Sequence, residues 1–292
     1  MKITSHNLLN GKELGFKFFK KNIKSQIDFR TFITSSNTSD FMDTKRFIQS
    51  LELQDPIAAY PAPRVTRGKF NKAMDLANSE QSFVADKTIV SFVAGVSPQY
   101  QKDVLNCTLL AQMAANKKYK NGSGDTLKWY QEYIDVLSKL GWVVESADVN
   151  TYEAKGSIVK VENVVIDILV SAFGNSYLNI ITKTLNALKT SKESKKLIAF
   201  ETNTNDVQKG CFQLATAVEE NSSIMMEVGT FLLSSSNKIK QILFFEFERD
   251  KTKLEYINRR ATLNVDIFSK YRNDVAAKLD DKVGKYISEI DI

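Results

Sequence analysis

Reactive side chains are scarce in this chain. Cys107 and Cys211 are its two thiols, and His6 is its one histidine among 292 residues. Hydrolase triads built on serine or cysteine need a histidine held by the fold, and His6 lies close to the chain start. A zinc site needs several Cys or His ligands, and three residues this far apart do not supply one, so no metal is expected. No Walker loop, dinucleotide-binding glycine pattern or G-x-S-x-G elbow occurs; "NGSGD" at 121–125 is a turn. The carboxylate pairs Glu219–Glu220 and Asp280–Asp281 are adjacent in sequence and suit solvated element ends rather than general acid–base work. This inventory points away from an enzyme.

The two thiols differ in setting. Cys107 sits mid-helix between Val104 and Ala111, as a small buried hydrophobe would. Cys211 opens "KGCFQLATAV", where Phe212, Leu214 and Val218 share one strand face. Cys211, Gln213, Ala215 and Ala217 share the other. Small side chains on a buried sheet either admit a close-packed helix or leave room for another occupant. Cys211 therefore reads as a structural thiol or as a modified, reactive one, with Lys209 able to favour the thiolate if the two side chains meet.

The elements that place these residues form a body with one large apolar core. Hydrophobic residues are 43% of the chain, with only 12 glycines and 4 prolines. Residues 1–68 read as an N-terminal arm packed on the body. It carries a lysine- and phenylalanine-rich segment at 12–24 and closes in "DPIAAYPAPRVTRG". The body, 69–292, opens on a buried strand, "KTIVSFVAGV" (87–96). Ser97 and Pro98 then start a helix, and a second helix, "TLKWYQEYIDVLSKL", is stopped by Gly141. Trp129 and Trp142 bracket that helix as packing anchors. The strand "WVVESADV" follows. A helical hairpin comes next, its first arm burying Val161, Val164, Val165, Ile168 and Leu169, and its second Leu178, Ile181, Leu185 and Leu188.

Four strands, "KKLIAFET", "GCFQLATAV", "SIMMEVGTFLLS" and "KQILFFEFER", are expected to form a β-meander over 195–250. A C-terminal helix over 263–289 carries the stripe Phe268, Tyr271, Val275, Leu279, Val283 and Tyr286. The fold class is α/β (α+β), a mixed or largely antiparallel sheet covered by helices on both faces. The net charge of +6 is dispersed, and no nucleic-acid-binding pattern accompanies it. The opening "MKITSHNLLNGKELGFKFFKK" is not a secretory signal, and no apolar run is long enough to span a bilayer. The expected place of synthesis is a reducing bacterial cytoplasm, with release or membrane association by another route.

The segments "SFVAGVSPQYQKDVLNCTLLAQMAANKKY" and "WYQEYIDVLSKLGWVV", followed by "KGCFQLATAV", resemble the Erwinia virulence factor family. These are bacterial proteins linked to persistence in an insect gut. The resemblance implies a single α/β domain of unusual topology with palmitate held as a thioester on one cysteine. Cys211 matches that cysteine and Cys107 does not. An acyl chain of roughly 14 methylenes at about 0.8 kcal/mol each gives on the order of 10 kcal/mol gross when buried. Ala215 and Ala217 are the expected neighbours of that chain. The implied protein is a non-enzymatic virulence or host-interaction factor, acylated at Cys211, associating with a membrane surface and acting on an unnamed gut target. An acyltransferase or thioesterase-like enzyme with an acyl-Cys211 intermediate, and a plain protein-binding module, remain the alternatives.

Overall fold

The computed structural model describes residues 38–55, 79–119, 126–153, 158–175, 178–190, 193–206, 208–221, 223–248 and 251–292. The chain divides into two units, Met1–Phe41 and Met42–Ile292. Of the first, only the opening turn of helix α1 (Thr38–Ser50) is described. The segment 12–24, most of the expected arm and its closing proline-rich stretch lie outside the described residues, as do His6 and the turn at 121–125.

Strands β1 (Gln81–Ala85) and β2 (Thr88–Phe92) form a hairpin. The strand expected at 87–96 is thus β2, shorter than expected, and β1 is an additional strand before it, joined to it by the charged pair Asp86–Lys87 at the turn. Asp86 takes φ 52° there, the left-handed region a two-residue hairpin turn requires. Helix α2 (Pro98–Lys118) starts at Ser97, whose backbone is extended as a cap should be. The cap side chain makes no bond; instead the Ser97 N–H donates to Glu219 Oε2 at 2.8 Å. Helix α3 (Thr126–Lys139) follows and buries Trp129, Tyr130, Tyr133, Val136 and Leu137, while Gly141 turns the chain at φ 98°. Trp142 is buried as well, so both tryptophans are packing anchors. The next strand is shorter than expected, as β3 (Trp142–Val144), and β4 (Asn150–Tyr152) comes after it.

Short strand β5 (Ile158–Lys160) leads into helix α4 (Val161–Phe173). The buried residues of α4 are Val161, Val164, Val165, Ile168 and Leu169, the five that the sequence spacing selects. Helix α5 (Leu178–Leu188) buries Leu185 and Leu188 as expected, and also Ile180 and Thr184. Thr184 is tolerated because its hydroxyl meets Ser82 Oγ at 2.7 Å and donates to Ile180 O.

Two expected strands fail. "KKLIAFET" forms helix α6 (Ser194–Thr204), since its buried positions Glu193, Leu197, Phe200, Glu201 and Thr204 recur at helical spacing. In "KQILFFEFER" only β9 (Glu246–Glu248) is a strand, paired with β5 in a separate two-stranded sheet. Its apolar start cannot extend because the N–H groups of Ile242 and Leu243 both donate to the Glu201 carboxylate. The meander therefore runs through β7 (Lys209–Glu220), β8 (Ser223–Ser235) and β10 (Thr252–Leu263), not over 195–250. A two-residue strand β6 (Asn205–Asp206) pairs with the start of β7.

The expected C-terminal helix is broken. It comprises α7 (Val265–Ser269), α8 (Arg272–Leu279), a 3-10 turn (Asp280–Lys282) and α9 (Val283–Tyr286), then strand β11 (Ile287–Ile290). Phe268, Tyr271, Val275, Leu279 and Tyr286 of the stripe are buried, but Asp280 at φ 44° interrupts the helix. Ile287 and Ile290 then pair beside β1 and are buried there.

Among the described residues these strands make a nine-stranded sheet with the path β11-β1-β2-β7-β8-β10-β3. Every pairing is antiparallel except β2 with β7. Helices α4, α5 and α6 cover the face carrying Phe212, Leu214, Phe231 and Leu233. There Phe200 of α6 meets Phe212 edge-on, and Phe212 stacks on Phe231 at 5.1 Å. Helices α2 and α3 cover the other face. Helix α2 is buried around most of its circumference, because α3 and α8 also pack on it. The sheet is thus mixed, largely antiparallel and covered on both faces, as the residue pattern implies.

Candidate functional site

Cys211, Gln213, Ala215 and Ala217 do share one face of β7, the face under α2 and α3, and all are buried. The row is closed rather than an open groove. Gln112 of α2 reaches it directly, donating through Nε2 to Thr88 Oγ1 at 3.0 Å. Thr88 Oγ1 donates to Gln213 Oε1 at 2.7 Å, and Gln213 Nε2 donates to Thr230 Oγ1 at 3.0 Å. Each of these groups would cost roughly 1–3 kcal/mol if buried without a partner, so the relay specifies how α2 seats on the sheet. Two clefts lie instead against α4 and α5, although Ala215 contributes to the wall of one.

The hairpin turn of β1 and β2 sits beside Cys211. Gln213 N donates to Lys87 O at 2.9 Å, which fixes the turn against the start of β7. Asp86 and Lys87 are each only 2% exposed. The Lys87 N–H donates to Gln112 Oε1 at 2.8 Å, and Asn116 Nδ2 donates to Asp86 Oδ2 at 2.8 Å. Asn116 in turn accepts from Trp129 Nε1 at 2.7 Å, and Lys87 Nζ lies 5.5 Å from the Trp129 ring centre. Burial raises the Asp86 carboxyl, opposed by the Lys87 charge and the Asn116 bond. Burial also pushes the Cys211 thiol up to about 11, and the Lys87 ammonium opposes that rise. Tyr130 of α3 flanks the same place, its phenol raised by burial against the pull of Arg259.

The cation that bears on Cys211 is therefore Lys87, while Lys209 is exposed at the strand start. Sequence reading places Lys87 at the head of a strand, so its role was not visible there. The available signal is a pair of charges, Asp-Lys, between two short β-rich runs. Cys107 behaves differently. Burial drives its thiol far above the usual range, a hydrogen bond with Trp142 opposes that rise, and the charges of Asp103 and Arg272 act on it in opposite directions. Those two groups form their own pair, with Arg272 Nε and Nη2 donating to Asp103 Oδ1 and Oδ2 at 2.8 and 2.7 Å. Of the carboxylate pairs, Asp280 and Asp281 are exposed, whereas Glu219 holds the start of α2. Among the described residues no cluster of metal-ligating side chains occurs, and no helix is long and apolar enough to cross a membrane.

Fold and site together define a mixed α/β body with one buried, cation-flanked thiol at the end of a central strand. No family model matches the chain, and no curated protein matches it by sequence. Among solved structures it is similar to the Evf virulence factor over 82% of this chain and 89% of that one, at 13% identity and TM-score 0.37. A delta-endotoxin is similar over 63% of this chain and 87% of that one, at 14% identity and TM-score 0.38. Activated Cyt2Ba from Bacillus thuringiensis subsp. israelensis is similar over 60% of this chain and 96% of that one, at 12% identity and TM-score 0.35.

Proposed function

We propose that this chain is a non-enzymatic bacterial host-interaction factor that carries a long acyl chain, palmitate, as a thioester on Cys211. The observation that supports the site is the contrast between the two thiols. Burial raises both thiols, but Cys211, opposed by the Lys87 ammonium, stops at about 11, whereas Cys107 is driven far higher despite its Trp142 hydrogen bond and Arg272. The thiolate is the nucleophile, so the smaller rise favours Cys211 over Cys107 for acyl exchange. With an acyl thioester as donor, Cys211 Sγ bonds to the carbonyl carbon while the donor's C–S bond breaks. The proton from Cys211 goes to the departing thiolate.

The host-interaction role is carried over from the sequence resemblance, and membrane association follows from the chemistry of the group. One acyl chain alone holds a protein to a bilayer only marginally, and the excess of basic residues, 40 against 34 acidic, supplies a second attraction to anionic lipid. The test is intact-mass spectrometry of the full chain from bacterial expression, with and without neutral hydroxylamine, on the native sequence, Cys211→Ser and Cys107→Ser. A fatty-acyl increment lost with hydroxylamine and with Cys211→Ser, but kept in Cys107→Ser, is expected. A bare chain mass throughout, or an increment that follows Cys107, overturns the assignment. Steady release of free acid from an added acyl donor would replace it with an enzyme passing through acyl-Cys211.

A further inference from the structure

We propose that a cleft between α4 and α5, on the face of the sheet away from Cys211, binds a small apolar molecule through its hydroxyl group. The cleft is narrow and open to solvent: the space between its walls and the solvent at its mouth together come to about 340 Å³, and within the walls there is room for about one water molecule. Its walls are apolar, with Leu169 and Phe173 from α4, Ile181 from α5 and Leu214 from β7 among them. Two polar groups stand in this lining, Thr216 of β7 and Glu227 of β8, directly opposite each other in the sheet register.

Both are buried, Thr216 at 3% exposure and Glu227 at 5%. Arg260 Nε donates to Glu227 Oε1 at 2.8 Å. Glu227 Oε2 and Thr216 Oγ1 are buried and have no hydrogen-bond partner among the described residues. A buried oxygen left this way costs about 1–3 kcal/mol, so a pair of them facing one cleft marks a site that something polar completes. An apolar pocket with a few convergent polar groups is the usual build of a small-molecule site.

The donor count decides the head group. Glu227 Oε2 can only accept, while Thr216 Oγ1 can donate. A hydroxyl oxygen satisfies both, donating its proton to Glu227 and accepting from Thr216. The Glu227–Arg260 pair is already neutral, so an ammonium would bring uncompensated charge into an apolar cleft. A carboxylate would face Glu227 directly. An alcohol hydroxyl offers the same two bonds that a water would, while its apolar part lies against the walls toward the mouth.

The test titrates the full chain, followed by two-dimensional amide NMR, with cyclohexylmethanol, cyclohexylmethylamine and cyclohexanecarboxylate, which share one ring and differ in head group. The alcohol is expected to saturate shifts of α4, α5 and the centres of β7 and β8, ahead of the other two. Thr216→Val, of the same shape, should weaken the alcohol by about three- to tenfold while leaving the free protein as stable as before or more so. Ile181→Trp, which fills the cleft, should abolish binding. The proposal is overturned if no saturable shift arises, if the amine or acid binds as well as the alcohol, or if Thr216→Val leaves the affinity unchanged.

Discussion

Glu201 offers a test of the packing that turned an expected strand into a loop. Its carboxyl sits 8% exposed at the end of α6 and accepts the N–H groups of Ile242 and Leu243. Two donors favour the ionised form, but burial is the larger effect and pushes the carboxyl from 4.5 up to about 7. Between those values the unfolded chain has lost this proton and the folded one keeps it, so stability contributed by the neutral form falls as pH rises through the window. At about 1.4 kcal/mol per pH unit, the loss between pH 4.5 and 7 is about 3 kcal/mol. Glu201→Gln does not titrate. It is expected to match the native chain within about 1 kcal/mol near pH 4.5, the worth of one backbone bond. Near pH 7.5 it should be the more stable of the two. Urea midpoints of both proteins at half-unit pH steps read this difference, and every other titrating group cancels in the comparison. A difference that stays constant across the window would refute the reasoning. A native chain that gains on the variant as pH rises would mean the two N–H donors outweigh burial.

Two further substitutions probe the frame. Arg272→Met should cost about 3–5 kcal/mol, because Asp103, with a side chain 0% exposed, loses the fork that pairs both its oxygens; a denaturation midpoint close to native would contradict that. Gly229→Ala places a methyl 2.6 Å from Leu169 Cδ2 and 2.9 Å from the Phe231 ring, so it should cost about 1–3 kcal/mol by overpacking. Thermal melts check it, and an unchanged transition would mean α4 sits looser on β8 than the contacts indicate.

What could be read in advance depended on how local the cause was. The inward face of α4 was legible because five β-branched and leucine residues repeat at helical spacing with little else to bury. Strand β7 was legible because Phe212, Leu214 and Val218 alternate with smaller residues, and β8 because apolar residues run along both of its faces. Helix α6 was misread because Leu197 and Phe200 look strand-like until the buried Glu201 and Thr204 are counted with them. Strand β10 was missed because Lys253, Glu255, Arg259 and Arg260 mask its alternation, and Arg260 is accommodated there only through Glu227 on the neighbouring strand. At the candidate site, Cys211 and its small neighbours were visible as a pattern. Lys87 was not, since its nearness to Cys211 depends on a parallel pairing between strands more than a hundred residues apart.

That parallel pairing also sets the order in which the sheet can be assembled. β7, β8 and β10 can join through near neighbours, and so can β1 and β2, but the two halves meet along a single seam, Thr88–Phe92 against Gln213–Ala217. Closing it requires a loop of more than a hundred residues, and adding β11 beside β1 requires one nearly twice as long. Folds rich in pairings of such sequence separation fold slowly. Cys211 lies two residues before this seam, so the Asp86–Lys87 turn covers it only once the seam is closed. A chain in which that seam is still open presents the thiol to solvent and to an acyl donor, and a residue so well covered in the finished protein is easiest to reach in that state.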